Sequence, residues 1–280
     1  LKSKNTQNIR QINKTIFVGK FLLDFDELPS TNQFALDWLA QAPPLSNAKN
    51  KPSEGTVIST YRQTAGRGQI GSHWLSEPDK NLAFSIIFYP TFLRPHEQFY
   101  LNKAIALGVR QYVADALDKW LTNLPKVTIK WSNDIYINDK KIAGILIQNN
   151  LSIQSITSSI IGIGLNINQL QFSEAMGNPT SLALEAKQQF DLDQAIETLC
   201  AYIEQRYLQL RACARNGNFS VLDAEYLKNL YRIHTVAPFR RLDETVFVGK
   251  IRGITEGGKL TIEHEDQSIE NFDIKEIKFL

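Results

Sequence analysis

A chain of 280 residues with 43% hydrophobic and 21% charged residues has the composition of a folded globular protein. It is long enough to bury a core without disulfides or metals. Its 31 basic and 29 acidic residues leave a net charge of +2, too even for a dedicated nucleic-acid binder.

Residues 1–14 are polar and basic, read as a flexible tail and lack the apolar stretch of a secretory leader. Residues 15–28 alternate in part and predict a strand pair. Ser30 with Gln33 is a capping-box pattern, opening a helix that carries Phe34, Leu36, Trp38 and Leu39. An exposed loop over 41–55 leads to a strand at Thr56–Tyr61, a glycine-rich stretch at 63–71, and a mostly apolar strand at Asn81–Tyr89. A helix from about His96 to Leu121 presents Ile105, Val109, Val113, Leu117 and Trp120 on one face. Four strands follow (Val127–Trp131, Ile135–Ile137, Lys141–Gln148 and Ile153–Ile163), with hairpin breaks at Asn138-Asp139-Lys140 and Asn149-Asn150. Asp191 caps a helix that ends near Asn216-Gly217, and another covers about Ser220–Tyr231. Beyond residue 232 the pattern changes to short strands at Thr245–Ile251, Lys259–His264 and Ile269–Phe272.

The fold class expected is α+β: a mixed, largely antiparallel sheet with helices over residues 15–232, then a small β-barrel over 233–280. Cys200 and Cys213 fall in one helical pattern, roughly 20 Å apart at about 1.5 Å per residue. That separation excludes a disulfide between them and favours a reducing cytosol. The histidines His73, His96, His234 and His264 have no zinc-like spacing. No apolar run is long enough to cross a membrane.

Gly66-Arg67-Gly68-Gln69-Ile70-Gly71 matches a dinucleotide fingerprint by letter only. That fingerprint must open a helix, whereas Ser72-His73-Trp74 and Pro78 follow here. The stretch is either a plain turn or an anion site in which backbone N–H groups converge and Arg67 adds a fork of donors. Lys130-Trp131-Ser132-Asn133-Asp134 ends one strand and Lys141 opens another. A Trp on a strand is ordinarily core and Asn-Asp ordinarily a turn. The hairpin, however, brings Asp134 and the two lysines together, a credible nucleotide site.

These segments together resemble the biotin–protein ligases. The resemblance is carried by Ser30-Thr31-Asn32, by Gln63-Thr64-Ala65-Gly66-Arg67-Gly68 with Trp74, and by Lys130 to Ile135. Lys141-Ile142-Ala143-Gly144-Ile145-Leu146 and Gly162-Ile163-Gly164-Leu165-Asn166 complete it. It implies a class II synthetase-like catalytic domain with an SH3-like terminal barrel, using ATP and Mg2+ to adenylate biotin. Biotin then passes to a lysine of the biotin carboxyl carrier domain of a carboxylase.

By that resemblance Lys141, Arg67 and Asp134 are catalytic. Ser30, Thr31, Asn32, Gln63, Gly66, Arg67, Gly68, Gln69 and Lys141 hold biotin. Arg67, Trp74, Lys130, Asn133, Asp134, Lys141 and Asn166 hold ATP, with magnesium on the phosphates near Asp134. The resemblance also implies a cytoplasmic enzyme, a possible homodimer, and neither membrane nor DNA binding, since no helix-turn-helix precedes the catalytic part. The chain departs from the family where Ser132 replaces a common proline and where Gln69 and Ile70 replace frequent arginines. Ser72 stands where arginine or asparagine is usual. The rival readings are a lipoate ligase or octanoyltransferase, the latter needing a nucleophilic cysteine, and a noncatalytic biotin-binding protein.

Overall fold

The computed structural model describes residues 7–41, 51–69, 71–173 and 177–280. Eight strands form the main sheet: β1 (Gln7–Arg10), β2 (Leu22–Phe25), β3 (Thr56–Thr60), β4 (Leu82–Phe88), β5 (Val127–Lys130), β6 (Asp134–Ile137), β7 (Lys140–Leu151) and β8 (Ile156–Leu165). Their spatial order is 1-2-3-4-8-7-6-5. All neighbours are antiparallel except β2 and β3.

Alternation along each strand sorts the two faces of this sheet. Phe84, Ile86 and Phe88 of β4, Ile161 and Ile163 of β8, and Ile145 of β7 enter one buried core. That face is covered by α2 (Gln98–Asp118), which packs against β5, β6 and β7 and against α4 (Leu192–Asn216) and α5 (Ser220–Lys228). Tyr207 of α4 stacks on Phe88 with ring centroids 4.1 Å apart. Opposite lies α1 (Thr31–Gln41), packed on β3, β4 and β8 over a second cluster of Leu23, Phe25, Ala35, Ile58 and Ile87. The short α3 (Leu182–Ala186) has no counterpart among the expected elements.

Local signals set most boundaries. The Ser30 hydroxyl accepts the Gln33 N–H at 3.4 Å, half of the expected capping box. The Gln33 side chain does not return to Ser30; its amide donates to Asp37 at 2.7 Å. Asp191 accepts the Gln194 N–H at 2.8 Å, and Gly217, at φ 63°, ends α4 as expected.

The start of the chain differs from expectation. Gln7–Arg10, within the expected flexible tail, form β1, and Arg10 pairs with Asp24 and, at 2.9 Å, with Asp193. Residues 15–20 are a turn and not a strand; the buried Glu204 carboxylate accepts the N–H groups of Ile16, Phe17 and Val18 at 2.7, 2.7 and 2.9 Å. Residues 1–6, and 42–50 of the expected loop, lie outside the described residues.

The C-terminal segment is a five-stranded antiparallel sheet of β9 (Val236–Arg241), β10 (Val246–Ile254), β11 (Leu260–His264), β12 (Ile269–Phe272) and β13 (Ile277–Phe279), in the order 12-11-10-9-13. It docks where the main sheet turns from β5 to β6. The Trp131 indole N–H donates to the Gly258 carbonyl at 2.9 Å, and Phe99 of α2 lies so close to Gly258 that a Cβ there would sit 2.5 Å from its ring.

Candidate active site

The face of the main sheet that carries α1 also carries a cleft. Its floor is a row read straight across the strand register: Ala83 of β4, Gly164 of β8, Gly144 of β7 and Asp134 of β6. A parallel row holds Ser85, Gly162 and Leu146. Glycine at the alternate positions 162 and 164 of β8 removes the side chains from one face only there. Two larger groups fill the space. The Trp74 indole lies on Gly164, where a Cβ would be 2.5 Å from Cδ2, and the Asn32 amide lies on Gly162, where a Cβ would be 2.7 Å from Cγ.

One end of the cleft is a neutral hydrogen-bond network. The Ser85 hydroxyl, fully buried, is within bonding distance of Thr31 Oγ1 (2.8 Å) and Asn32 Oδ1 (2.5 Å). Gln63 Oε1 accepts the Thr31 N–H at 3.0 Å, and Asn32 Nδ2 donates to Gln148 Oε1 at 3.3 Å. A pocket of uncharged donors and acceptors suits a small polar ring on an apolar body.

The other end is charged. Lys141 Nζ lies 2.7 Å from Asp134 Oδ1 and 6.0 Å from the centre of the Trp74 ring. A bulge makes this pairing. Ile135 is opposite Ala143, but Tyr136 is opposite Lys141, so β7 carries one extra residue there. Ile142 and Ala143 consequently both enter the core, and Lys141 is turned to the face that carries Asp134. Asn133 is buried beneath them; its Nδ2 donates to the Ile145 carbonyl and its Oδ1 accepts from Ser132 Oγ at 3.1 Å.

The glycine stretch forms a hairpin over the cleft. Arg67 bridges to His73, the Gly68 N–H donates to the Ser72 carbonyl at 2.9 Å, and the Trp74 N–H donates to the Gly66 carbonyl at 3.0 Å. Arg67 reaches Gln33 Oε1 at 2.5 Å, and Gln69 Nε2 reaches Ser132 Oγ at 3.0 Å. Ile70 lies outside the described residues.

Of the candidate residues, Ser30, Thr31, Asn32, Gln63, Arg67, Gly68, Gln69, Trp74, Asn133, Asp134 and Lys141 line this one cleft. Three do not. Gly66 is buried at the base of the hairpin, against the Trp74 carbonyl. Lys130 lies one strand beyond Asp134, with Nζ 3.2 Å from the Tyr136 hydroxyl and 5.1 Å from the centre of the Phe279 ring. Burial there lowers its pKa, with the Asp134 charge opposing that shift. Asn166 is buried past the end of β8, where it donates to the Thr180 carbonyl at 2.9 Å.

Sequence reasoning passed over Ser85 and Gln33. Ser85 had a signal, as a lone hydroxyl in an otherwise apolar strand; Gln33 read only as a cap.

Over 256 residues the chain is 31% identical to the Bifunctional ligase/repressor BirA of Bacillus subtilis, an alignment that covers 89% of this chain and 71% of that protein. Residues 29–166 match the biotin/lipoate A/B protein ligase family. The chain belongs to that family. The Biotin--[acetyl-CoA-carboxylase] ligase of Paracoccus denitrificans is 33% identical over 115 residues, covering 39% of this chain and 43% of that one. The fold of this family member superposes on the biotin protein ligase of Aquifex aeolicus, solved in complex with biotin and ATP. The TM-score is 0.70 at 23% identity, over 92% of this chain and 98% of that one. Neither cysteine of this family member lines the cleft: both lie in α4, Cys200 fully buried with its thiol pKa pushed up by that burial.

Proposed function

We propose that this chain is a biotin–protein ligase, which joins biotin to AMP at the expense of ATP and passes it to a lysine of a biotin carboxyl carrier domain. The observation that carries this reading is a single cleft with a neutral hydrogen-bonding end and a charged end that holds Lys141, bridged by a floor of glycines. Biotin has that polarity, a ureido ring at one end and a carboxylate at the other.

Ser30, Thr31, Asn32 and Gln63 take the ring, with Ser85 holding Thr31 and Asn32 in register. The carboxylate then points to Lys141. Two anions must meet as the carboxylate attacks the α-phosphate, and Lys141 with Arg67 neutralises the charge that builds between them. Asp134 keeps the Lys141 ammonium aimed until substrates arrive. Trp74 supplies a flat apolar face for the nucleotide, and Asn133 stiffens the turn under the phosphates. The acyl-adenylate is a mixed anhydride that water destroys, so the glycine hairpin has the further task of covering it.

No group of three or more His, Cys, Asp or Glu side chains converges among the described residues. Magnesium therefore fits as an ion carried on the triphosphate, with Asp134 as the carboxylate in reach. The acceptor lysine belongs to a carrier domain, for which the terminal strand β1 offers an edge, as it does for a second copy of this chain. No helix among the described residues is long and apolar enough to cross a membrane. A cytosolic setting supplies ATP and keeps the two unpaired thiols reduced.

The test is exchange of labelled pyrophosphate into ATP, with magnesium, for wild type and Lys141→Ala. Exchange that requires biotin, ignores lipoate and collapses in the variant is the expected result. A folded wild type without biotin-dependent exchange would overturn the reading, and exchange driven by lipoate would move the chain to the other branch of its family.

A further inference from the structure

The bulge that turns Lys141 toward Asp134 lies just past the reach of β8, whose pairing with β7 stops at Ala143 opposite Leu165. Beyond that point the segment Asn178-Pro179-Thr180 takes the edge, with Pro179 opposite Lys141 in a parallel bridge. The Lys141 N–H donates to the Asn178 carbonyl at 2.8 Å, and the Thr180 N–H donates to the Lys141 carbonyl at 2.8 Å. A bulge interrupts the ladder, and its buried backbone groups must find partners elsewhere. For Lys141 this strap supplies them.

The strap is itself pinned. Asn166 donates its N–H to the Ile142 carbonyl at 3.0 Å and its side chain to the Thr180 carbonyl at 2.9 Å. The buried Thr180 hydroxyl donates to the Glu185 carboxylate of α3 at 2.6 Å, a charge-assisted bond. Glu185 also lies 3.6 Å from Lys140 Nζ, so α3 grips the strap and the strand at adjoining points. Ser181, fully buried, caps α3 and donates to the Gln169 carbonyl at 2.6 Å. The helix that no sequence signal announced thus anchors the segment that holds Lys141.

We propose that Thr180 and Glu185 are positioning residues for Lys141: their bond locks the strap, the strap fixes the bulge, and the bulge aims the ammonium into the cleft. The part of Lys141 in the reaction rests on the ligase reading above; the strap itself does not.

Two measurements separate these halves. Hydrogen exchange of the Lys141 amide in the free protein reads the strap. Thr180→Val and Glu185→Ala should each speed it about fivefold, the share of one hydrogen bond. Thr180→Ser, which keeps the hydroxyl, should match wild type. An unaltered Lys141 amide in both altered proteins would overturn the strap. Biotin-dependent pyrophosphate exchange reads positioning. Thr180→Val and Glu185→Ala should each lower kcat by about the same factor, with KM for biotin and for ATP unchanged and Thr180→Ser again at the wild-type value. In a Lys141→Met background neither change should slow the residual rate further. A loss that persists in that background, or one confined to KM, would overturn the positioning role. Glu185 is only half-buried, so its variant carries both readings if valine at the buried 180 position prevents folding. A wild type without biotin-dependent exchange would remove the ligase reading and the positioning role together, leaving hydrogen exchange to judge the strap.

Discussion

Asp134 and Lys141 meet at 2.7 Å because β7 has one residue more than β6 beside them. Without that extra residue Lys141 would share the face of Ala143, inside the core. The bulge thus turns a lysine out of an apolar layer and sets it against a carboxylate.

The pair predicts an ordered loss of activity. Lys141→Met removes the cation itself and should cost about 3 kcal/mol of barrier, roughly a hundredfold in pyrophosphate exchange. Asp134→Asn leaves the cation but loosens its aim, so the loss should be smaller, about tenfold. If aiming Lys141 is the whole of its part, with none at the magnesium, the double variant should be no slower than Lys141→Met alone. Losses that multiply in the double would mean that Asp134 has an independent part in the reaction.

The glycines of β8 predict a division of the cleft. Gly164→Ala drives a methyl into the Trp74 ring, and Gly162→Ala drives one into the Asn32 amide. The first should raise KM for ATP about tenfold with little change for biotin, and the second should do the reverse. Each side chain fills one half of the floor, and a well-packed site does not absorb an added methyl. Unchanged far-UV circular dichroism would show that the strand survives. If both constants rise together in both variants, the two ends of the cleft are not separate binding regions.

Much of this was legible in the residues. The hairpin from β6 to β7 was readable from Asn138-Asp139-Lys140, and with it the approach of Asp134 to Lys141. The structure adds the turn at Asn138 (φ 52°) and the bulge, which no propensity encodes because Ile142 and Ala143 are equally apolar. Lys130 read as a second lysine beside Lys141, serving the triphosphate, yet strand order places it one step further along, against Tyr136 and Phe279. That position depends on β13, a strand too short and too charged to announce itself. The N-terminal strand was hidden for a related reason. Gln7–Arg10 has no alternating apolar pattern, and an ion pair with Asp24, not hydrophobic burial, holds its end.

Glu204 predicts a large stability effect far from the cleft. Its carboxylate accepts three backbone N–H groups from residues 16–18, so every bond is charge-assisted. Glu204→Gln puts an N–H2 group where donors already converge. The expected loss is about 2–3 kcal/mol in urea unfolding, the cost of a buried group left without its partner. A loss below about 0.5 kcal/mol, the scale of a neutral surface change, would mean that the turn over residues 15–20 finds other acceptors.

The C-terminal sheet predicts a pH dependence of its own. Arg241 grips Glu270 with both ends of its guanidinium at 2.6 Å, and His264 Nε2 lies 2.8 Å from the same carboxylate. The Arg241 bonds, helped by His264 and opposed by desolvation, lower the Glu270 pKa from 4.5 to about 2. A carboxylate that binds its proton more weakly folded than unfolded stabilises the fold above its unfolded pKa. That contribution is lost as pH falls through the folded value. The difference in stability between wild type and Glu270→Gln should therefore be present above the ordinary carboxylate range, shrink as pH falls through it, and vanish by about pH 2. Solvent reaches Glu270, so the plateau should be about 1 kcal/mol or less. Denaturant midpoints for both proteins across that range supply the curve; a difference that persists unchanged to the acid end would mean that the variant disturbs packing and not charge.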